Sequence, residues 1–189
     1  MSKTARAPRA DAVRNRGKIL AAAREWMTER GPDAGMDEIA GAAGLAVGTL
    51  YRHFPTKADL VAAIVSEYVA QVAADAEAAL RRVEAGTRAA AEITALLLRV
   101  VEVSATNYAA KAAAEALGAA ARAQADEQRA AAALAGLIAA GQADGDIHPD
   151  VTVEDIYLLF TTAPTDQPPA ARARWLTLVL PGLSAGART

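Results

Sequence analysis

Apolar residues recur along this chain at helical spacing, and no stretch alternates long enough to mark a strand. Val13, Ile19, Leu20, Ala23, Trp26 and Met27 stripe a first helix expected over residues 11–30, and Gly31-Pro32 stops it. Ile39, Ala40 and Ala43 stripe a short second helix, with Asp37 expected to cap its first turn. Gly44 stands where the chain must reverse, and glycine adopts φ > 0 without steric cost. A third helix follows from about Val47 to Phe54, and Pro55 ends it. Thr56 with Asp59 three residues on is a capping-box pattern. Leu60, Ile64, Tyr68, Val72, Ala76 and Leu80 then recur every four residues, predicting a helix from Lys57 to about Glu84. That helix would be roughly 40 Å long at 1.5 Å per residue. Two short helices joined by a glycine turn describe a helix-turn-helix, whose second helix can enter a major groove.

Beyond Gly86 the helical period continues. A fifth helix is expected over about 87–104 and is interrupted at Asn107-Tyr108. An alanine-rich helix then runs to about Leu117, and another covers about 121–141. Thr152 with Asp155 caps a helix through Phe160, residues 161–169 form a loop, and a last helix spans about 170–180. The fold class predicted is all-α, about nine helices. The expected domains are a basic disordered arm (1–10), a three-helix head (11–56) and a helical body (57–189).

Charge sharpens this division. Residues 1–60 hold ten Lys/Arg against seven Asp/Glu, and residues 61–189 hold ten against fifteen. Lys3, Arg6, Arg9, Arg14, Arg16 and Lys18 crowd the start against Asp11 alone. A basic end beside an acidic body suits a DNA-binding head, the plainer alternative being a solvated tail. The neighbouring helix-turn-helix favours DNA. The absence of cysteine excludes disulfides, thiol nucleophiles and thiolate metal sites. No apolar run reaches the ~18 residues of a membrane span, and the basic start lacks an apolar h-region. A cytoplasmic protein with no membrane partner is expected.

Ala43-Gly44-Leu45, Gly48-Thr49-Leu50-Tyr51, His53-Phe54 and Lys57 resemble the signature of the TetR family of transcriptional regulators. Upstream, Arg16, Ile19-Leu20, Ala22-Ala23 and Gly31 resemble that family's first helix and its exit. The likeness covers roughly the first 60 residues; beyond them only the helical layout is similar. The resemblance implies that Val47, Gly48 and Thr49 face the groove while Tyr51, His53 and Lys57 bond phosphates. A phenol and an imidazole can each donate to a phosphate oxygen, and Lys57 adds its charge to a helix N-terminus. Ala46, Val47 and Gly48 cannot make bidentate base bonds. Thymine methyl contacts, Thr49 hydroxyl bonds and indirect readout are left to carry specificity, supplemented by Arg52 or the basic arm.

In the body, Leu158, Leu159 and Phe160 and then Trp175, Leu176, Leu178, Val179 and Leu180 nearly encircle two helices. Such helices are buried on several sides. Either a monomer core or a two-fold four-helix seam would do this; the position near the chain's end favours the seam, and the resemblance implies the same homodimer. The resemblance also implies an effector pocket inside the body, for which Tyr68, Glu102, Thr106, Asn107, Tyr108 and Tyr157 are the polar and aromatic candidates, packing being their plainer role. His148 lies near Asp144, Asp146 and Asp150, but Pro149 occupies the place of a calcium loop's glycine, so no metal is expected. With no thiol, two histidines far apart and no paired carboxylates, nothing supports an enzyme. The expectation is a DNA-binding regulator on a palindromic operator in double-stranded DNA. It would be a dimeric repressor released by a small molecule and without a cofactor, the alternative being an effector-independent regulator.

Overall fold

The structure is a computed structural model that describes residues 6–119 and 123–187. Among these residues are nine α-helices: α1 (Arg6–Arg30), α2 (Met36–Ala42), α3 (Val47–His53), α4 (Lys57–Glu84), α5 (Ala89–Thr106), α6 (Tyr108–Ala116), α7 (Gln124–Ala143), α8 (Val153–Thr162) and α9 (Pro169–Val179). Three short 3-10 turns accompany them, and the extended pairing among the described residues is a single bridge between Ile147 and Ser184. The all-α expectation holds.

The described residues form two compact units. One comprises 6–67 and 107–119, the other 68–106 and 123–187. The division falls inside α4, between Glu67 and Tyr68, and not at residue 56 as the sequence suggested. Leu60, Val61 and Ile64 of α4 belong to the first unit's core, with Ile19, Leu20 and Leu50. Helix α6 packs against α1, burying Ala110, Ala113 and Ala114 in that core. Small alanine side chains let helices approach closely, and this face had been placed in the body.

Several boundaries moved for local reasons. Lys3 lies outside the described residues, as do the side chains of Arg6 and Arg9. Helix α1 begins at Arg6 and not at Asp11, because Ala and Arg favour helix and Pro8 falls in the first turn, where its missing N–H costs nothing. Val13 is 71% exposed and not inward. Gly35, not Asp37, is the N-cap of α2, and its N–H donates to Glu38 Oε2 at 3.0 Å. A glutamate at the third helical position reaches back to the cap, which an aspartate at the second does not. Phe54 caps the C-terminus of α3 instead of extending it. Helix α8 continues to Thr162, and Pro169, preset for a helix start, opens α9.

The glycine turn is as expected. Gly44 has φ +67°. The Leu45 N–H donates to the Ala40 carbonyl and the Gly44 N–H to that of Gly41, both at 3.0 Å, closing α2 in a Schellman motif. The Thr56–Asp59 box also forms, with the Thr56 N–H on Asp59 Oδ2 and the Asp59 N–H on Thr56 Oγ1, each 3.1 Å.

In the second unit α5 packs on α7, α8 and α9. Leu96, Leu97, Leu134, Leu137, Ile156 and Leu176 fill its core. Bidentate ion pairs tie its helices: Arg82 to Glu92 at 2.8 and 2.7 Å, Arg129 to Glu77 at 2.8 Å twice, and Arg172 to both oxygens of Glu102. Arg88 likewise clasps Asp146.

Candidate nucleic-acid interface

Helix α3 has seven residues, and its period sets its faces. Leu50 is fully buried and Phe54 nearly so, which fixes the inward side. At about 100° per residue, Gly48 and Arg52 both fall within about 20° of the line opposite Leu50. Thr49 and Tyr51 flank them. Ala46, Val47, Gly48, Tyr51 and Arg52 are exposed, and Thr49, His53 and Lys57 half-buried. All eight residues expected to meet DNA therefore lie on α3, its N-cap or the first residue of α4, outside the core.

Arg52 folds back along its own helix. Its Nε donates to the Gly48 carbonyl at 3.2 Å and its Nη2 to Thr49 Oγ1 at 2.9 Å. Long helical side chains point toward the N-terminus, so an i, i−3 partner is within reach. The i, i−3 spacing is the sequence signal for this contact. Gly48 is open: a Cβ there would meet nothing within 4 Å.

The α3–α4 corner is held from α1. The Arg16 guanidinium lies 5.1 Å from the Phe54 ring centroid and 3.8 Å from Glu67, which also pairs with Arg24 at 2.8 Å. Beside it is a cleft of about 420 Å³ lined by Arg16, His53, Phe54, Pro55, Asp59 and Ser66.

Each of the body's candidate residues has its own setting. Tyr68 is largely buried and shares a 2.6 Å hydrogen bond with Ser104. Burial pushes its phenol above the ordinary range, and the Ser104 bond opposes that shift. Glu102 is engaged by Arg172, whose bond holds its carboxyl below the usual carboxylate range. The Thr106 hydroxyl donates to the Glu102 carbonyl one turn back, an ordinary helix contact. Asn107 and Tyr108 group with the first unit. Tyr157 is exposed and meets Phe160 edge-on, 6.4 Å between centroids. Desolvation, then Glu127, raises its phenol. A cleft of about 720 Å³ in this unit is lined by Arg88, Ala91, Thr94, Leu98, Asp146 and Ser184, and by none of these six candidates.

On the expected seam, Leu176 is only 2% exposed and serves its own chain's core, so it presents no surface to a partner. Leu159, Phe160, Trp175 and Leu180 pack partly on that core, and Val179 is half-buried. Leu158 at 59% and Leu178 at 61% stand out instead. Leu178 lies two positions from Leu176, so the helical period puts it on the other side of α9.

Among the described residues, no helix is long and apolar enough to cross a membrane, and no group of three or more His, Cys, Asp or Glu is placed to hold a metal ion.

Known proteins match along both units. Residues 19–64 fit the model of bacterial regulatory proteins of the tetR family, and residues 89–185 that of the SbtR-like transcriptional regulator C-terminal domain. A TetR transcription regulatory protein from Mycobacterium vanbaalenii is 31% identical, with a TM-score of 0.71 over 93% of this chain and 98% of its own. A TetR transcriptional regulator from Streptomyces coelicolor is 32% identical, with a TM-score of 0.70 over 91% and 99%. The HTH-type transcriptional activator FasR of Mycolicibacterium smegmatis is 42% identical over 67 residues. That match spans about a third of each chain, 35% of this one and 31% of the relative. With its head and the greater part of its body matched by family models, and similarity to solved regulators along nearly its whole length, this chain belongs to the TetR family of DNA-binding transcriptional regulators.

Proposed function

We propose that the protein is a homodimer that grips a palindromic operator through α3 and leaves it when a small molecule binds the body. The observation that carries the DNA half is the outer line of α3. Gly48 and Arg52 stand opposite the buried Leu50, Thr49 and Tyr51 flank them, and the helix carries no carboxylate. Tyr51, His53 and Lys57 set register on phosphates, while Val47, Gly48 and Thr49 meet base edges. Exposed Leu158 and Leu178 supply the dimer contact, which would space two recognition helices about 34–36 Å apart. The working compartment is the cytoplasm, and the reading includes no catalysis.

For the effector half, the part-buried Tyr68–Ser104 hydrogen bond offers polar groups on α4 and α5. Helix α4 contributes residues to both units, so it is the element through which a ligand would bias the head.

Selection of genomic fragments by the purified protein at about 0.15 M salt tests the first half, since non-specific binding is weak there. A shared palindrome is expected; sequence-independent recovery would overturn the reading. Genes beside the recovered sites nominate effectors for thermal-shift titration. A ligand that raises the melting point, releases DNA and loses effect in Tyr68→Phe supports the second half. If none of these does so, the regulator is effector-independent. One relative is named an activator, so a reporter is scored for loss and gain of transcription.

A further inference from the structure

Arg52 is not a free surface cation. Its guanidinium carries five N–H donors, and two are already committed along one edge: Nε to the Gly48 carbonyl and Nη2 to Thr49 Oγ1. That leaves the opposite, end-on fork of Nη1 and Nη2, two parallel N–H groups with no helix atom to satisfy. A fork of this shape matches two adjacent acceptors. In the major groove the base edge with two adjacent acceptors is guanine, through O6 and N7; adenine pairs its N7 with a donor. The fork stands on the outermost line of α3, above a glycine that keeps the helix surface low beneath it.

Among the described residues, Thr49 differs from most helical hydroxyls. Thr28, Ser66, Thr94, Thr106 and Thr177 each donate to the carbonyl four residues back. Thr49, in the first turn of α3, instead accepts from Arg52. It thereby fixes the plane of the guanidinium.

We infer that Arg52 reads a guanine in each half-site and that Thr49 is its positioning residue. This rests on the proposal that α3 enters the major groove. Arg52, which the sequence offered only as a supplement to methyl contacts, Thr49 bonds and indirect readout, then becomes the main reader, a pre-oriented arginine whose side-chain entropy is spent before binding.

The test is selection from a randomised duplex pool by the full-length protein, its Arg52→Lys, Thr49→Val and Thr49→Ser variants. The wild type should prefer guanine at one position per half-site by roughly 5- to 150-fold over other bases. Lysine keeps the charge but lacks the fork, so that preference should collapse while other positions persist. Valine keeps the shape of threonine without the acceptor and should lower the same preference several-fold. Serine should restore it, which a merely structural role for Thr49 would not require. Replacing that guanine by 7-deazaguanine, which lacks the N7 acceptor, should weaken wild-type binding and leave Arg52→Lys unmoved. If Arg52→Lys binds too weakly for selection, the 7-deazaguanine effect on the wild type decides. Unchanged base preferences in both Arg52→Lys and Thr49→Val, or a wild-type site indifferent to 7-deazaguanine, overturn the inference. A wild type that selects no shared motif overturns the underlying operator reading instead.

Discussion

In the head, Glu38 reaches three residues back to Gly35, Asp59 three back to Thr56, and Arg52 three back to Thr49. In the body, Arg88 reaches Asp146 across 58 positions, Arg129 reaches Glu77 across 52, and Arg172 reaches Glu102 across 70. Each region has exceptions: in the head Arg16 and Arg24 both reach Glu67, Arg24 across 43 positions, and in the body Arg82 pairs with Glu92 across 10 and the Thr152–Asp155 box is local. The head is shaped mainly by short-range bonds that set where each helix starts and stops. The body is a bundle whose helices are registered against one another by distant arginine–carboxylate pairs. A head built this way can keep its recognition geometry across sequences, while a body built this way can be re-registered by changing a few charged pairs.

The sharpest break is to disable one region and leave the other folded. Leu158→Glu combined with Leu178→Glu places charges on the exposed apolar face of α8 and α9. Light scattering should report a monomer with unchanged helical circular dichroism. Operator affinity should fall by on the order of 10²–10⁴, the gain that linking two half-site contacts provides. A variant that remains dimeric would move the interface elsewhere.

This contrast also explains what could be read in advance. The turn at Gly44, the Thr56–Asp59 and Thr152–Asp155 boxes and the stripe of α4 depend on neighbours in sequence, and they were legible. The pairing of Arg172 with Glu102 depends on which helices adjoin, so Glu102 looked like a ligand group when it is an ion-pair partner. The grouping of α6 with α1 had no local signal, because an alanine helix presents a similar face on every side. At the candidate site, the division of α3 into an inward Leu50 and an outward face was legible from its period. The Arg52–Thr49 bond has the right spacing, but spacing alone does not choose a rotamer.

Two glycines set the regions against each other. On α7, a Cβ at Gly141 would lie 2.5 Å from Ile147 Cγ1. Gly141→Ala should therefore overpack the body and cost about 1–3 kcal/mol. At Gly48 the same Cβ meets nothing, so Gly48→Ala should stabilise the head by about 0.5–1 kcal/mol. It should also weaken operator binding, because the added methyl stands on the outer line of α3. The chain's two tryptophans report separately, Trp26 in the head and Trp175 in the body, so thermal melts in Trp175→Phe and Trp26→Phe backgrounds resolve the two effects. A Gly48→Ala protein that binds as well as the wild type would show that no duplex approaches there.

Acid should act on the body through its carboxylates. Hydrogen bonds from Arg82, Arg172 and Arg129 hold Glu92, Glu102 and Glu77 below the usual carboxylate range. A carboxyl depressed in the folded state stabilises it above the unfolded value of about 4.3, and that contribution is lost as pH falls through the folded value. The Trp175 melting point should therefore drop below about pH 4.3 and stay insensitive to these groups between pH 6 and 8. Glu92→Gln, at the least exposed of the three, should flatten the drop. An acid response identical to that of the parent would remove Glu92 from the account.

The smallest expected effect concerns one phosphate contact, that of Lys57. Lys57 opens α4, whose first turn is already closed by the Thr56–Asp59 box, so removing its ammonium leaves the cap and the helix start in place. Unchanged helical circular dichroism checks that Lys57→Ala keeps the fold. If its charge meets a phosphate, the slope of log affinity against log salt should fall in magnitude by about 1, equally on operator and random DNA. Arg52→Lys should do the reverse, keeping the slope and losing base preference. A Lys57→Ala protein with an unchanged slope would take the lysine off the phosphate backbone and leave Tyr51 and His53 to set the register.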